Sequence, residues 1–334
     1  MCMKNWQETE AIFRRLQQLT ADGAGAALAM IVSIKGSTYR RPGAKLLIEP
    51  DGRMMGNVSG GCLEQDVRET GLAIIKSGEA QCVHYDTSDI EDKVWGMGLG
   101  CNGEVDLFIQ RITEEDHAEF IEQMCNWLHG DEAFAVRTEL AGPNRGALYI
   151  REAEGTETGL SDDVFIERLD PPPTFLICGA GDDAIPLARL AHEVGFRVVM
   201  ADHRSAYLTA ERFPDTRARV KVRPEDALSK LSLNARTLAV VKTHALQHDA
   251  AWVQRLLETD TPYIGVLGPR DRRDEIMNQV DPSQHPRIYG PVGLDVGGEG
   301  PEQVAASIVA EALAVWHGRQ AGHLRDRKTA IHSE

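Results

Sequence analysis

No run of apolar residues in this chain approaches the roughly 18 that a membrane-spanning helix needs, so no ordinary transmembrane helix is expected. Basic residues are outnumbered, 36 Lys and Arg against 51 Asp and Glu, for a formal net charge of -15. That balance argues against unspecific nucleic-acid or anionic-membrane binding, both of which need a surplus of cations. Cysteine is sparse and scattered: Cys2, Cys62, Cys82, Cys101, Cys125 and Cys178 form no C-x-x-C pair and no small secreted framework. Reduced thiols and a cytoplasmic location are therefore expected. The opening MCMKNWQETE lacks the apolar core of a signal peptide. No solenoid-period repeat is visible. A homodimer is compatible with the chain, but no coiled-coil seam marks where it would form. What remains is a soluble composition, 42% hydrophobic and 26% charged over 334 residues, enough for two domains each with its own core.

The most informative stretch runs from Thr174 to Arg204. An apolar run, Phe175 to Cys178, breaks on Gly179-Ala180-Gly181, and Ile185, Leu187, Ala188, Leu190 and Ala191 then recur at helical spacing. Gly195 closes the helix, and a second apolar run from Arg197 ends on Asp202. This predicts a β-α-β unit in which Gly179, Gly181 and Ala184 fit G-x-G-x-x-A and Asp202 lies where a ribose-binding acid is expected. Glycine at the first position permits the sharp reversal, and glycine at the second lets backbone approach a pyrophosphate. The helix N-terminus offers unpaired N–H groups to it. Asp182 and Asp183 bring two negative charges to the same place. Further along, Thr237 to Lys242 reads as a buried strand. Thr243, His244 and Asp249 follow its end, where open parallel sheets bind ligands. His244 and His248 have the i, i+4 spacing of a metal pair, without an evident third ligand.

The first half holds two glycine-cysteine stretches. In Asn57-Val58-Ser59-Gly60-Gly61-Cys62-Leu63-Glu64, Cys62 stands at the start of a helix predicted to run to Ser77. A helix N-terminus there favours a thiolate, which can ligate a soft metal or attack an electrophile. The alternative is a small packing residue. Gly96 to Gly103 puts Cys101 in a second such loop. Glu152 to Asp163 is acidic and poorly patterned, and Pro171-Pro172-Pro173 follows it. The expectation is an N-terminal α+β domain over 1–170, with an acidic linker over 152–173. A Rossmann-like, doubly wound parallel-sheet domain follows over 174–317, then a polar tail over 318–334; the class is α/β overall.

Taken in order, GSTYRRPGAKLLI (Gly36 to Ile48), GNVSGGCLEQDV (Gly56 to Val67), GLGCNGEVDLFI (Gly98 to Ile109), LICGAG (Leu176 to Gly181), DHR (Asp202 to Arg204), ERFP (Glu211 to Pro214), KTH (Lys242 to His244), YIGVLGPRDRR (Tyr263 to Arg273) and GPVGLDVGGEGPEQVAASIVAEA (Gly290 to Ala312) resemble the xanthine dehydrogenase accessory protein family, XdhC/CoxI. The chain departs from the family's usual pattern at Asp182, more often His, and at Pro269, usually a small residue. The resemblance implies a molybdenum-cofactor chaperone that protects the finished cofactor, assists its sulfuration and inserts it into a molybdenum hydroxylase such as xanthine or aldehyde dehydrogenase. It implies two partners, the apo hydroxylase and a cysteine-desulfurase-like sulfurating enzyme, and no catalysis by the chain itself. The cargo would be molybdopterin or its cytosine dinucleotide form. Cys62, flanked by Gly60 and Gly61, would neighbour the molybdenum, with Cys101 second. Gly179, Gly181, Asp202 and His244 would serve the phosphate or nucleotide end. Two other readings of the same motifs are an NAD(P)-dependent oxidoreductase, with His244 or His203 as proton donor, and a non-catalytic subunit of a dehydrogenase complex.

Overall fold

Helix α1 (Met3–Ala21) buries Trp6, Ile12, Phe13, Leu16 and Leu19, the apolar face that its sequence spacing predicts. It opens the first of two units, Met1–Pro171 and Pro172–Glu334, into which the chain divides. The structure, a computed structural model, describes residues 3–36, 38–86 and 103–327. Cys101 and the second glycine-cysteine loop lie outside the described residues.

In the first unit, β1 (Ala26–Gly36) is followed by the hairpin of β2 (Lys45–Ile48) and β3 (Met54–Gly56). Helix α2 (Glu64–Ser77), β4 (Gln81–Asp86), β5 (Gly103–Ile112) and α3 (Glu114–His129) come next. The strands form an antiparallel sheet in the order β3-β2-β1-β5-β4. The first residues of β1, AALAMIV, are buried throughout, as a central strand covered on both faces requires. One face, with Ala27, Ala29, Ile31, Leu107 and Ile109, packs on Val67 and Ile74 of α2. The other contributes Leu28 and Ile112 to a cluster with α1 and with Ile121, Met124 and Leu128 of α3. Helix α3 starts where Thr113 accepts the Asp116 N–H, three acids following in its first turn.

The rest of this unit is a second antiparallel sheet, β7-β6-β9-β8, of β6 (Phe134–Glu139), β7 (Leu148–Glu152), β8 (Gly159–Ser161) and β9 (Val164–Leu169). The segment expected as an acidic linker, 152–173, is here a correction: β8 and β9 lie inside it, β9 pairing with β6 and β8 with β9. Its inward face carries Phe165, Glu167 and Leu169, and the acid in the middle broke the apolar alternation that would have marked the strand. Glu167 is only 1% exposed and meets the Lys45 ammonium of β2, each carboxylate oxygen 2.7 Å from Nζ.

The second unit runs β10 (Thr174–Cys178), α4 (Ala184–Glu193), β11 (Arg197–Asp202), β12 (Ala218–Lys221), α5 (Ala227–Lys230), β13 (Thr237–Val241), α6 (Leu246–Leu257), β14 (Tyr263–Val266), α7 (Arg270–Met277), β15 (Ile288–Tyr289) and α8 (Gly300–Trp316). All strand pairs are parallel, in the order β12-β11-β10-β13-β14-β15. Alternate residues Leu176, Cys178, Ala239, Val241, Ile264 and Val266 pack against Trp252, Val253 and Leu256 of α6, while α4 and α8 pack on each other. This is the doubly wound, Rossmann-like sheet expected from the β-α-β pattern. Strand order reverses between β10 and β13, so the loops leaving those two strands flank the crevice in which such sheets bind ligands.

Candidate functional site at the switch point of the parallel sheet

The first wall of the crevice is the turn from β10 into α4. Gly179 has φ +116°, and a Cβ there would lie 2.5 Å from the Lys242 carbonyl oxygen, so only glycine lets the two loops touch. The N–H of Ala180 donates to Asp202 at 2.7 Å. The N–H groups of Gly181, Asp182 and Asp183 have no acceptor among the described residues and lie at the N-terminus of α4. Orphan donors at a helix start suit an anion.

The second wall is the loop after β13. Lys242 is 2% exposed, and its Nζ donates to Asp183 Oδ1 at 2.6 Å. Burial lowers the Lys242 pKa, against the opposing pull of Asp183. For Asp183, burial works upward, but the Lys242 ammonium and His244 outweigh it and hold the carboxyl below its ordinary value. His244 places Nε2 3.1 Å from Asp183 Oδ2 while its own backbone sits at φ +61°, a left-handed conformation uncommon outside glycine. Such an outlier costs of order 1–3 kcal/mol and concentrates at functional sites. Thr243 donates through N and Oγ1 to Asp249, at 2.9 and 2.5 Å; Asp249 is fully buried and also accepts from Arg272.

The third wall follows β11. Asp202, 4% exposed, accepts from Ala180 N, from Arg204 N at 2.8 Å and from the Arg204 guanidinium at 3.0 and 2.8 Å. Burial works against its charge, yet the Arg204 and backbone donors prevail and bring its pKa down to about 2. Asp182, which sequence offers as the N-cap of α4, is not that cap, since Asp183 holds the position; Asp182 pairs with Arg212, whose guanidinium also donates to the Ala180 carbonyl. His203 and His248 face each other edge to ring at 5.2 Å. The two acids of the turn are thus neutralised from within, Asp182 by Arg212 and Asp183 by Lys242.

The glycine-cysteine loop belongs to the first unit. Cys62 is exposed and immediately precedes Leu63, the N-cap of α2. The loop folds onto Glu64, whose carboxylate accepts from the N–H groups of Val58, Ser59 and Gly61 at 3.1, 2.9 and 2.8 Å and from the Ser59 hydroxyl. Gly60 and Gly61 both have positive φ, and a Cβ on Gly60 would press on the Tyr39 ring at 3.0 Å. Three of the turn's N–H groups and the Ser59 hydroxyl are therefore taken by the chain's own carboxylate, and its exposed features include the Cys62 thiol and the Tyr39 ring, 70% exposed.

Of the residues singled out in sequence, Gly179, Gly181, Asp202 and His244 gather around the switch point, whereas Gly60, Gly61 and Cys62 form a separate loop in the other unit. Helix α6 starts at Leu246, so His244 and His248 do not share a helix face, and no group of three metal-ligating side chains occurs among the described residues. The sequence marked Asp183 only as a charge beside the turn, without its partner, and gave no role to Lys242, Arg204, Arg212 or Arg272. The signal was present at Lys242: a lysine directly after TLAVV, five buried residues, is one the fold must partner. No helix among the described residues is long and apolar enough to cross a membrane.

A profile of the XdhC Rossmann domain matches residues 175–312, and one of the XdhC and CoxI family matches residues 19–86. Over 319 residues the chain is 34% identical to a protein of Bacillus subtilis (strain 168) named as a probable xanthine dehydrogenase subunit, covering 89% of this chain and 95% of that one. It is 24% identical over 310 residues to a protein of Escherichia coli (strain K12) named molybdenum cofactor insertion chaperone PaoD, covering 91% and 87%. A crystal structure described as a xanthine dehydrogenase from Bacillus halodurans superposes with a TM-score of 0.78 at 27% identity, over 93% of this chain and 98% of that one.

Proposed function

The chain belongs to the XdhC and CoxI family, and from that premise we propose that it carries the molybdenum cofactor as cargo to a molybdenum hydroxylase, without turning it over. The observation that carries this reading is the switch-point crevice. Three orphan N–H groups at Gly181, Asp182 and Asp183 stand beside the buried Lys242 ammonium, a donor set suited to the phosphate of an anionic pterin dithiolene or to its nucleotide extension. In this scheme Gly179 gives the backbone its close approach, while Lys242 and His244 supply donors once the phosphate displaces Asp183. Within the first unit, Cys62 is an exposed thiol of the soft type that a metal such as molybdenum accepts. Its exposure also suits a transfer step, in which a cysteine-desulfurase-like enzyme must reach the cargo for sulfuration.

The nicotinamide reading is less well supported. A dinucleotide ribose needs a free acid at the end of β11, and Asp202 is spent on Ala180 and Arg204. The proposed role is tested by incubating the cofactor-loaded protein with a purified apo hydroxylase of the xanthine or aldehyde dehydrogenase type, with and without a cysteine desulfurase, and measuring hydroxylase activity. Activation beyond that given by free cofactor is expected, and Cys62→Ala should reduce it. Activation no better than free cofactor would remove the carrier role.

A further inference from the structure

The first unit holds a second polar cavity, unrelated to Cys62 and to the switch point. About 560 Å³ in volume, it is lined by Gly78, Glu79 and Ala80 after α2, Gln110 and Arg111 at the end of β5, Asp116 and His117 in the first turn of α3, and Arg145 to Ala147 in the β6–β7 turn. That volume falls in the range of small-molecule sites. It lies where the β4–β5 ladder stops, since the last pairing is Gln81 with Ile109 and β5 continues three residues further.

Three polar side chains in this cavity have nothing to do within the fold. The Arg111 and Arg145 guanidiniums form neither a hydrogen bond nor an ion pair with any described residue. The Gln110 amide is likewise without a partner among the described residues, although the residue is only 5% exposed. Its polar atoms open into the cavity, where they are available to a ligand or to solvent. The backbone makes room for these groups. Gly78, at φ +79°, has the Arg111 guanidinium where a Cβ would stand, and Gly146, at φ +90°, has Gln110 Oε1 2.9 Å from its own Cβ position. His117 Nδ1 accepts the Thr113 N–H at 3.4 Å, which leaves the proton on Nε2 as a donor. Burial lowers the pKa of this imidazole against the opposing pull of Asp116, with Arg111 adding to the lowering. Two carboxylates, Glu79 and Asp116, complete the lining.

We infer that this cavity is a binding site for a small organic oxyanion that also carries a hydroxyl or amine donor, its anionic group held by Arg111 and Arg145 and its donor facing Gln110 and Asp116. The guanidiniums suit a carboxylate or a phosphate ester equally, and the acids at the rim select against ligands that offer only negative charge.

Calorimetric titration of the full chain with L-malate, L-aspartate and glycerol 3-phosphate separates these sources, with succinate as the acid lacking a donor. At least one of the first three is expected to bind with a Kd of about 1 mM or tighter, and succinate more weakly. Arg111→Gln with Arg145→Gln should weaken that binding about a hundredfold, roughly tenfold for each charge-assisted contact, whereas Lys242→Met should leave it unchanged. If the double variant lowers thermal stability, Arg145→Gln alone, at an exposed turn position, still predicts the tenfold loss. No binding of any probe at about 10 mM, or binding that disappears with Lys242→Met and survives loss of the two arginines, would overturn the assignment.

Discussion

Lys242 is the residue on which the switch-point site turns. Its Nζ holds Asp183 against the turn at 2.6 Å from a position that is 2% exposed. Lys242→Met removes a buried cation of similar length and leaves the Asp183 carboxylate without its main partner, at a cost of about 1–3 kcal/mol. Urea unfolding should register that loss, and titration with inorganic pyrophosphate should show at least a tenfold weaker affinity than the parent chain. Gly179→Ala tests the close approach. A Cβ 2.5 Å from the Lys242 carbonyl, at φ +116°, cannot be accommodated without moving one loop, and a loss of about 2 kcal/mol or more is expected in the same unfolding measurement. Asp202 gives a pH signature. Its folded pKa of about 2 lies below the ordinary 3.8, so the stability it contributes is present above about pH 4 and is lost as pH falls toward 2. Stability measured from pH 5 down to pH 2 should fall with a steeper slope in the parent chain than in Asp202→Asn, which lacks this group. Equal slopes would show that the Arg204 and Ala180 contacts do not hold the charged form. The glycines and Asp202 were legible from spacing alone because a strand-turn-helix leaves a local pattern. The assignment of Asp202 to Ala180 and Arg204 was not, since it depends on where side chains turn after folding.

At the scale of elements, the sequence marked those whose apolar periodicity is complete and missed the two strands whose pattern is exposed or broken by an acid. Helix α1 and the β10-α4-β11 unit stand where apolar spacing and turn residues put them. Strands β8 and β9 were read as linker because β8 is exposed along its length and β9 carries Glu167 on its inward face. The partner that makes this glutamate tolerable, Lys45, is 122 residues away. Burial raises the Glu167 pKa, with Lys45 pulling the other way, and Gly43 leaves the space, since a Cβ there would meet Glu167 Oε1 at 2.7 Å. Removing one member of such a pair leaves an uncompensated buried charge, so Glu167→Gln is expected to cost about 3–5 kcal/mol. Glu167→Gln with Lys45→Met should recover much of the loss, and a double-mutant cycle of unfolding free energies would measure the coupling.

At the scale of the whole molecule, an acidic chain is organised as two units, each with its own distinctive loops: the Glu64-anchored turn presenting Cys62 in one, the switch-point crevice around Lys242 in the other. Both the division and the Rossmann-like second unit could be argued from composition and motif. The chemistry between the acids and bases of the crevice could not, because each acid found its cation only through the topology of the parallel sheet. The carrier role proposed for the chain requires that it hold an anionic, phosphorylated metal complex. The most direct test is to purify it from a host making both pterin and dinucleotide forms of the cofactor, then measure molybdenum by mass spectrometry and released nucleotide by chromatography. Molybdenum approaching one atom per chain, falling at least tenfold in Lys242→Met, is the predicted result; a folded parent chain that retains neither molybdenum nor pterin would contradict the account.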